Sequence, residues 1–203
     1  MPRTQIRAFC RPTRSRTDNR TASGRPRGGS GLSAPAPVNP LTDSTGAHCA
    51  EGQDAKVWYL AGTFTPDPVT RSCTVPAGTA LFFPIVNTFF AAEGTVEEMR
   101  ARNAAFIDSI ATMSVSIDGQ SVENPVGYRA ISPIFSLELF ADNIFGAPEG
   151  IYEPAVSDGF WLLLAPLPPG EHVIHFSAAS SDGSFSLDVT YILTVEAGRK
   201  SGV

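Results

Sequence analysis

Residues 168–176 read PPGEHVIHF and place two of the chain's three histidines, His172 and His175, three positions apart. On a helix that spacing would bring both imidazoles to one face, as a metal pair requires; on a strand it sends them to opposite faces. Pro168, Pro169 and Gly170 form a turn through which no helix starts, so EHVIHFSA leaves it as a strand. His172 then shares the inward side with Ile174 and Phe176, and His175 shares the outward side with Glu171 and Ser177. From a regular strand the two cannot converge on one metal.

The same parity runs through the rest of the chain. SFSLDVTYILTVE (184–196) puts Phe185, Leu187, Val189, Tyr191, Leu193 and Val195 on one face, and Ser186, Asp188, Thr190 and Thr194 on the other. PIFSLELF (133–140) sets Phe135, Leu137 and Leu139 against Ser136 and Glu138. GFWLLLA (159–165) is apolar on both sides, as a central strand covered twice would be. MSVSI, Asp118-Gly119 and QSV spell a two-residue hairpin. KVWYLAGTF (56–64) reads as a strand closed by the turn TPDP. RSCTV, PAG and TALFFPIVN read as a second hairpin, with Pro84 marking an edge or a bulge. Only 95–111, TVEEMRARNAAFIDSIA, has helical spacing, opened by a capping box of Thr95 and Glu98. These elements predict a mainly β fold: a single β-sandwich, immunoglobulin-like or alternatively a jelly roll, with one inserted amphipathic helix at about 95–111.

Composition agrees. Among 203 residues there are 13 Phe, 18 Gly and 17 Pro against 3 Met, which suits short strands and turns. The net charge of −5 conceals a split, because residues 1–27 carry eight arginines and one acid, leaving seven basic and nineteen acidic residues elsewhere. So acidic a body disfavours nucleic acid as the partner of the folded part. No apolar run is long enough for a membrane-spanning helix. Residues 1–37 lack hydrophobic periodicity and predict a disordered Arg/Pro/Ser-rich extension, leaving a domain at 38–198. Three readings of the extension compete: a transit-like peptide, a basic tail for nucleic acid or anionic membrane, and a functionless leader. Of the three cysteines, Cys10 falls in the extension, while Cys49 and Cys73 are placed for either a disulfide or two buried thiols. A disulfide would imply an oxidising compartment.

No nucleotide fingerprint, Walker loop, nucleophile elbow or zinc spacing is present. The segment ADNIFGAPEGIYEPAVSDG (141–159) reads as a long connection rich in Asp142, Asn143, Glu149, Tyr152, Glu153 and Asp158. Three roles compete for it. Asp142, Glu153 and Asp158, helped by Arg129, are the candidate catalytic set of a carboxylate-dependent hydrolase or lyase acting on a polysaccharide. Asp142, Glu149 and Asp158 could instead hold calcium. The third role is a solvated acidic loop. Asn143, Tyr152 and Trp58 are the candidate ligand-binding residues, since exposed aromatics stack on sugar rings; Tyr59, Tyr128 and Trp161 complete that aromatic set. His48 with a strand histidine is the candidate pair of a cupin-like metal enzyme.

NPLTDSTGAHCAEGQDAKVWYLAGTF, CTVPAGTALFFPIVN and SDGFWLLLAPLPPGEHVIHFSA together resemble a family of uncharacterised, apparently secreted microbial proteins over residues 38–196. In that family a Trp-rich helical segment precedes the NPL motif, and here Arg-rich sequence stands in its place, with no export signal evident. The resemblance implies the fold and an extracytoplasmic location and no particular reaction. The leading expectation is therefore a secreted binding module for glycan or another surface ligand, using the 141–159 segment. The carboxylate enzyme and the cupin-like enzyme are its alternatives.

Overall fold

The computed structural model describes residues 6–7, 38–53 and 56–197, so the expected disordered extension at 1–37 lies, except for residues 6–7, outside the described residues. The described part is mainly β, in two sheets with one helix. The first sheet contains β1 (Ile6–Arg7), β2 (Val57–Tyr59), β4 (Ala80–Ala91), β7 (Arg129–Ile131), β8 (Phe135–Leu139) and β9 (Gly150–Leu164). It runs β1-β9-β4-β2, with β7 and β8 also paired to β9. The second runs β3-β11-β10-β5-β6, from β3 (Val69–Val75), β5 (Ile110–Ile117), β6 (Gln120–Ser121), β10 (Gly170–Ser180) and β11 (Ser186–Val195).

The inner faces share one core. Phe83 of β4 stacks on Phe176 of β10 with ring centroids 5.2 Å apart, and Leu81, Ile85, Leu162 and Leu164 meet Ile174, Val189 and Leu193 in the same buried cluster. Alternation is therefore strict where only one face is covered. In β11, Leu187, Val189, Tyr191, Leu193 and Val195 are buried, and in β10 His172, Ile174 and Phe176 are buried while His175 is not. The histidine parity read from the sequence holds. At the β5–β6 hairpin Asp118 and Gly119 have φ of 51° and 76°, the left-handed pair such a turn demands.

Helix α1 (Val96–Asp108) begins at the expected capping box, with Thr95 and Glu98 each bonding the other's backbone N–H. It buries Met99, Asn103 and Ile107, and it packs on β4 and β9. Asn103 Nδ2 donates to the Val156 carbonyl at 3.0 Å, which fixes the helix over β9.

Three expectations need correction. RSCTV and TALFFPIVN do not form a hairpin: β3 pairs in parallel with β11 of the second sheet, while β4 pairs with β9 and β2 of the first. Residues 76–79 thus cross between sheets, because β3 and β4 contribute their apolar sides to opposite walls of one core. The 56–64 strand is short, Val57–Tyr59 only, after which Leu60 makes one further backbone bond to Phe82. The supposed 141–159 connection is half strand, since β9 begins at Gly150 and pairs with β8 and then with β4. Pro84 does mark a bulge, as the β4–β9 register shifts between Pro84 and Val86.

The segment ahead of β2 is fastened to the outer edge of β3. Ser72 N–H donates to the Thr45 carbonyl at 2.9 Å, and Cys49 is disulfide-bonded to Cys73. Gly46, with φ of 92°, passes so close that an added Cβ would overlap the Ser72 carbonyl. This covering is also protective, since an open edge strand templates pairing with other chains.

Two outcomes follow for urea unfolding. Gly46→Ala should cost about 2 kcal/mol or more, from left-handed backbone and overlap combined. Replacing both Cys49 and Cys73 by Ala should cost about 3 kcal/mol, the loop-closure value for their spacing. Unchanged midpoints in both variants would show that the segment does not depend on its contact with β3.

Candidate functional site

The acidic residues singled out in the sequence do not gather. Asp142 is exposed, in the loop between β8 and β9, with φ of 61°. Glu149 is exposed in the same loop. Glu153 is exposed on β9 and accepts from the Ser136 hydroxyl at 2.6 Å. Asp158, 2% exposed, is the one buried acid among the described residues, and its carboxylate faces Arg129. Arg129 Nη2 lies 2.8 Å from Asp158 Oδ2, Nε bridges both of its oxygens, and Nη1 reaches Asp108 at the end of the helix. The Asp158 hydrogen bond, opposed by burial and reinforced by Asp108, raises the Arg129 pKa further above its ordinary value. Asp158 and Arg129 are thus brought together as a clamp joining β9, β7 and α1. Among the described residues no group of three or more His, Cys, Asp or Glu side chains is arranged to hold a metal ion.

The candidate ligand contacts are also committed elsewhere. Asn143 is 6% exposed and organises its loop: Nδ2 donates to the Phe140 and Ala147 carbonyls, and Oδ1 accepts from Phe145 and Ala147 N–H. Tyr152 donates to the Pro148 carbonyl at 2.8 Å. Trp58 is 7% exposed in the core, so its ring is closed to a stacking sugar. Trp161 lies flat against Phe82 at 5.6 Å, and its indole N–H reaches Ala130. His48 uses its backbone N–H on Asp43, and both ring nitrogens of His172 are taken.

What the sequence reading missed is an aromatic surface. Phe64 stands in the loop between β2 and β3, Phe89 on β4, and Phe145 in the loop that Asn143 shapes. Phe145 meets Phe64 at 6.2 Å and Phe89 at 5.6 Å between centroids, edge to face in both cases. Phe64 nevertheless remains 62% exposed and Phe145 39%, with Phe140 of the same loop at 40%. The signal was present as Phe64 beside TPDP and Phe145 beside Gly146, large apolar rings within turn sequence. Phe64 also borders a groove of about 280 Å³ between residues 41–44 and 63–65, with Val69 and Arg71 in its wall.

Beneath this surface lies Arg71, 1% exposed. Its Nε donates to the Asp43 carbonyl at 2.6 Å, Nη1 to the Ala61 and Gly62 carbonyls at 2.8 Å and to the Tyr191 hydroxyl at 3.0 Å, and Nη2 to the Leu41 carbonyl at 3.4 Å. Burial pushes the Tyr191 phenol above its ordinary pKa, so it stays neutral and donates to Ala61. Burial opposes ionisation of Asp43, but hydrogen bonds from His48, Thr45 and Gly46 outweigh it and hold that carboxyl at about 2.

Comparison with known proteins adds little. No family model matches the chain, and no curated protein matches it. Among solved structures, a chain of PbICP-C in complex with falcipain-2 is similar at 11% identity and a TM-score of 0.29, over 70% of this chain and 100% of that one. The cysteine protease inhibitor EhICP2 from Entamoeba histolytica is similar at 10% identity and a TM-score of 0.27, over 71% and 100%. Likeness at this level carries no argument about fold or function.

His172 gives a test of the site's frame. Its Nδ1 is 2.8 Å from Asp118 Oδ2 and its Nε2 is 2.8 Å from the Pro168 carbonyl, so both partners accept and both nitrogens must carry protons. Burial favours the neutral ring, but these two acceptors prevail and raise the pKa above 6.5. The stabilisation is full below 6.5 and is lost as pH rises through the folded-state value. Wild type should therefore lose stability as pH rises above 6.5, and His172→Gln should lose that part of the slope. An NMR titration placing His172 at or below an ordinary imidazole value would refute this.

Proposed function

We propose that the chain is an exported β-sandwich binding module of immunoglobulin-like topology that grips a protein partner through Phe64, Phe145 and the flanking Phe140. The observation that carries the reading is the meeting of three phenylalanines from three separate segments, with two of them left exposed. Exposed apolar clusters on a rigid scaffold mark interaction surfaces, and aromatic anchors supply most of the energy at them. Edge-to-face packing at 76° leaves the rings without a common flat face, which suits contact with a protein better than stacking on a sugar ring.

Strand order supports the topology. Taking β2, β4, β8 and β9 as strands A, B, D and E, and β5, β6, β10 and β11 as C, C′, F and G, the order of neighbours matches that of an immunoglobulin-like sandwich, with the parallel β2–β4 pair as a departure from it. The disulfide Cys49–Cys73 ties the segment ahead of β2 to β3 at the sheet edge and does not link the B and F equivalents β4 and β10. That disulfide supports export, as does the resemblance to apparently secreted proteins.

The test is affinity capture from the native extracellular medium, identification of the retained protein, and calorimetry with that protein purified. Phe64→Ser with Phe145→Ser should weaken binding by at least tenfold while leaving the circular dichroism spectrum unchanged. Equal affinity for the double variant would overturn the reading. Recognition of glycans on an array, lost in the same variant and with no protein partner, would replace it with the carbohydrate alternative.

A further inference from the structure

The first sheet leaves one strand edge open. β2 pairs with β4 only at Ala80–Phe82, and Leu60 adds one bond to the Phe82 carbonyl before residues 61–62 are drawn off to Arg71. β4 itself continues to Ala91. Backbone parity identifies which of its groups face the uncovered side. Ser157 N–H donates to Ser132 Oγ at 2.8 Å and its carbonyl accepts from Ser132 N–H at 2.9 Å, so Ser157 turns away from β4. Its neighbours Val156 and Asp158 turn towards β4, and their register partners Phe90 and Thr88 turn towards β9. The bond from Ala92 N–H to the Pro154 carbonyl at 2.9 Å keeps the same parity. Asn87, Phe89 and Ala91 therefore direct their N–H and C=O groups away from β9. Among the described residues no hydrogen bond reaches any of these backbone groups, and all three residues are half-buried.

Strand edges of this kind are ordinarily guarded by charge, proline or a bulge. Pro84 and its bulge guard the start, but VNTFFA (86–91) carries no charged residue and no proline. The open stretch adjoins the aromatic surface, because Phe89 belongs to it and meets Phe145 at 5.6 Å, which in turn meets Phe64. The surroundings are anionic: residues 60–68 and 140–149 contain Asp67, Asp142 and Glu149, all exposed, and no lysine or arginine. On the helix side, Arg102 covers the Phe90 ring at 3.7 Å and is paired with Glu93. We propose that the partner contributes an extended segment bearing lysine or arginine, which adds to the first sheet along Asn87–Ala91 beside Phe64 and Phe145. The inference rests on that surface being the binding site and adds what the partner brings to it: backbone hydrogen bonds for affinity and cationic side chains for Asp67, Asp142 and Glu149. A second copy of this chain is a poorer occupant, because its own edge would bring like charges together.

The probes are capped peptides of about seven residues, with every combination of Val, Leu, Phe and Tyr at the centre and either lysines or glutamates at both ends. They are titrated into the isotope-enriched full chain, and hydrogen exchange is read at single backbone amides. Lysine-ended peptides should slow exchange at Asn87, Phe89 and Ala91 by about tenfold, and about 0.5 M NaCl should weaken the best of them. Methylating alternate backbone nitrogens of that peptide should abolish the effect for one set and spare it for the other, since only one side of an added strand bonds to β4. Asn87→Pro, which removes one outward N–H, should weaken binding about tenfold while Asn87→Ala does not. No change at those three amides with any peptide would overturn the proposal, as would equal binding of the glutamate-ended set or equal loss from either methylated set. Exchange that slows with protein concentration in the absence of peptide would also overturn it, since the edge would then pair with a second copy. The two readings fail separately. If Phe64→Ser with Phe145→Ser abolishes partner binding but the edge amides never respond, the surface stands and the strand addition falls. If those amides respond equally in that variant, the edge stands and the role of the phenylalanines falls.

Discussion

Arg71 is the group on which the arrangement of the aromatic face depends. A guanidinium buried to 1% exposure needs all its donors met, and here the acceptors are backbone carbonyls of Leu41, Asp43, Ala61 and Gly62 with the Tyr191 hydroxyl. Those carbonyls belong to two irregular segments that have no ladder to hold them. By collecting them on a side chain of β3, the protein fixes residues 41–43 and 61–62 against the second sheet, and Phe64 follows two residues later. A lysine would not serve, because a single nitrogen cannot span acceptors that approach from both segments. The disulfide and the Ser72–Thr45 bond fasten the same segment a few residues on, so the cover over the β3 edge is held at several points.

A second clamp acts on β9 of the first sheet. Residues 155–160 of β9 are buried without a break, although they include Ser157, Asp158 and Gly159. Each polar or small residue has its reason. Ser157 donates to the Thr88 carbonyl at 2.7 Å, Asp158 neutralises Arg129, and Gly159 leaves room for the Asn87 backbone, which a Cβ would meet at 2.9 Å. One of the three candidate catalytic carboxylates is therefore paired with an arginine that also anchors the helix.

These details show what was legible in the sequence. Local rules sufficed for the capping box at Thr95, the Asp118-Gly119 hairpin, and the parity of β10 and β11, since each depends on neighbours within a few positions. Long-range pairing did not show. The turn at 76–79 has hairpin chemistry yet joins two sheets, and nothing local separates those outcomes. Ser157, Asp158 and Gly159 read as loop because their partners lie far off in sequence, at Thr88, Arg129 and Asn87. Arg71 was readable in principle: in VTRSCTV it takes the inward parity of Val69, Cys73 and Val75, and an arginine there demands acceptors. Phe64 and Phe145 were obscured by the turn residues around them, and the acidic residues beside Phe145 gave that loop a polar look.

The central claim is that Arg71 organises the loops which present the aromatic surface. Amide hydrogen exchange on Arg71→Met, a replacement of similar length without donors, tests it most directly. The account predicts that protection falls at residues 41–46 and 60–65 while β10 and β11 stay protected, and that the Phe64 ring moves away from Phe145. Unchanged protection at 41–46 and 60–65 in a folded Arg71→Met chain would contradict it, and the loops would have to be held by the disulfide and the Ser72–Thr45 bond instead.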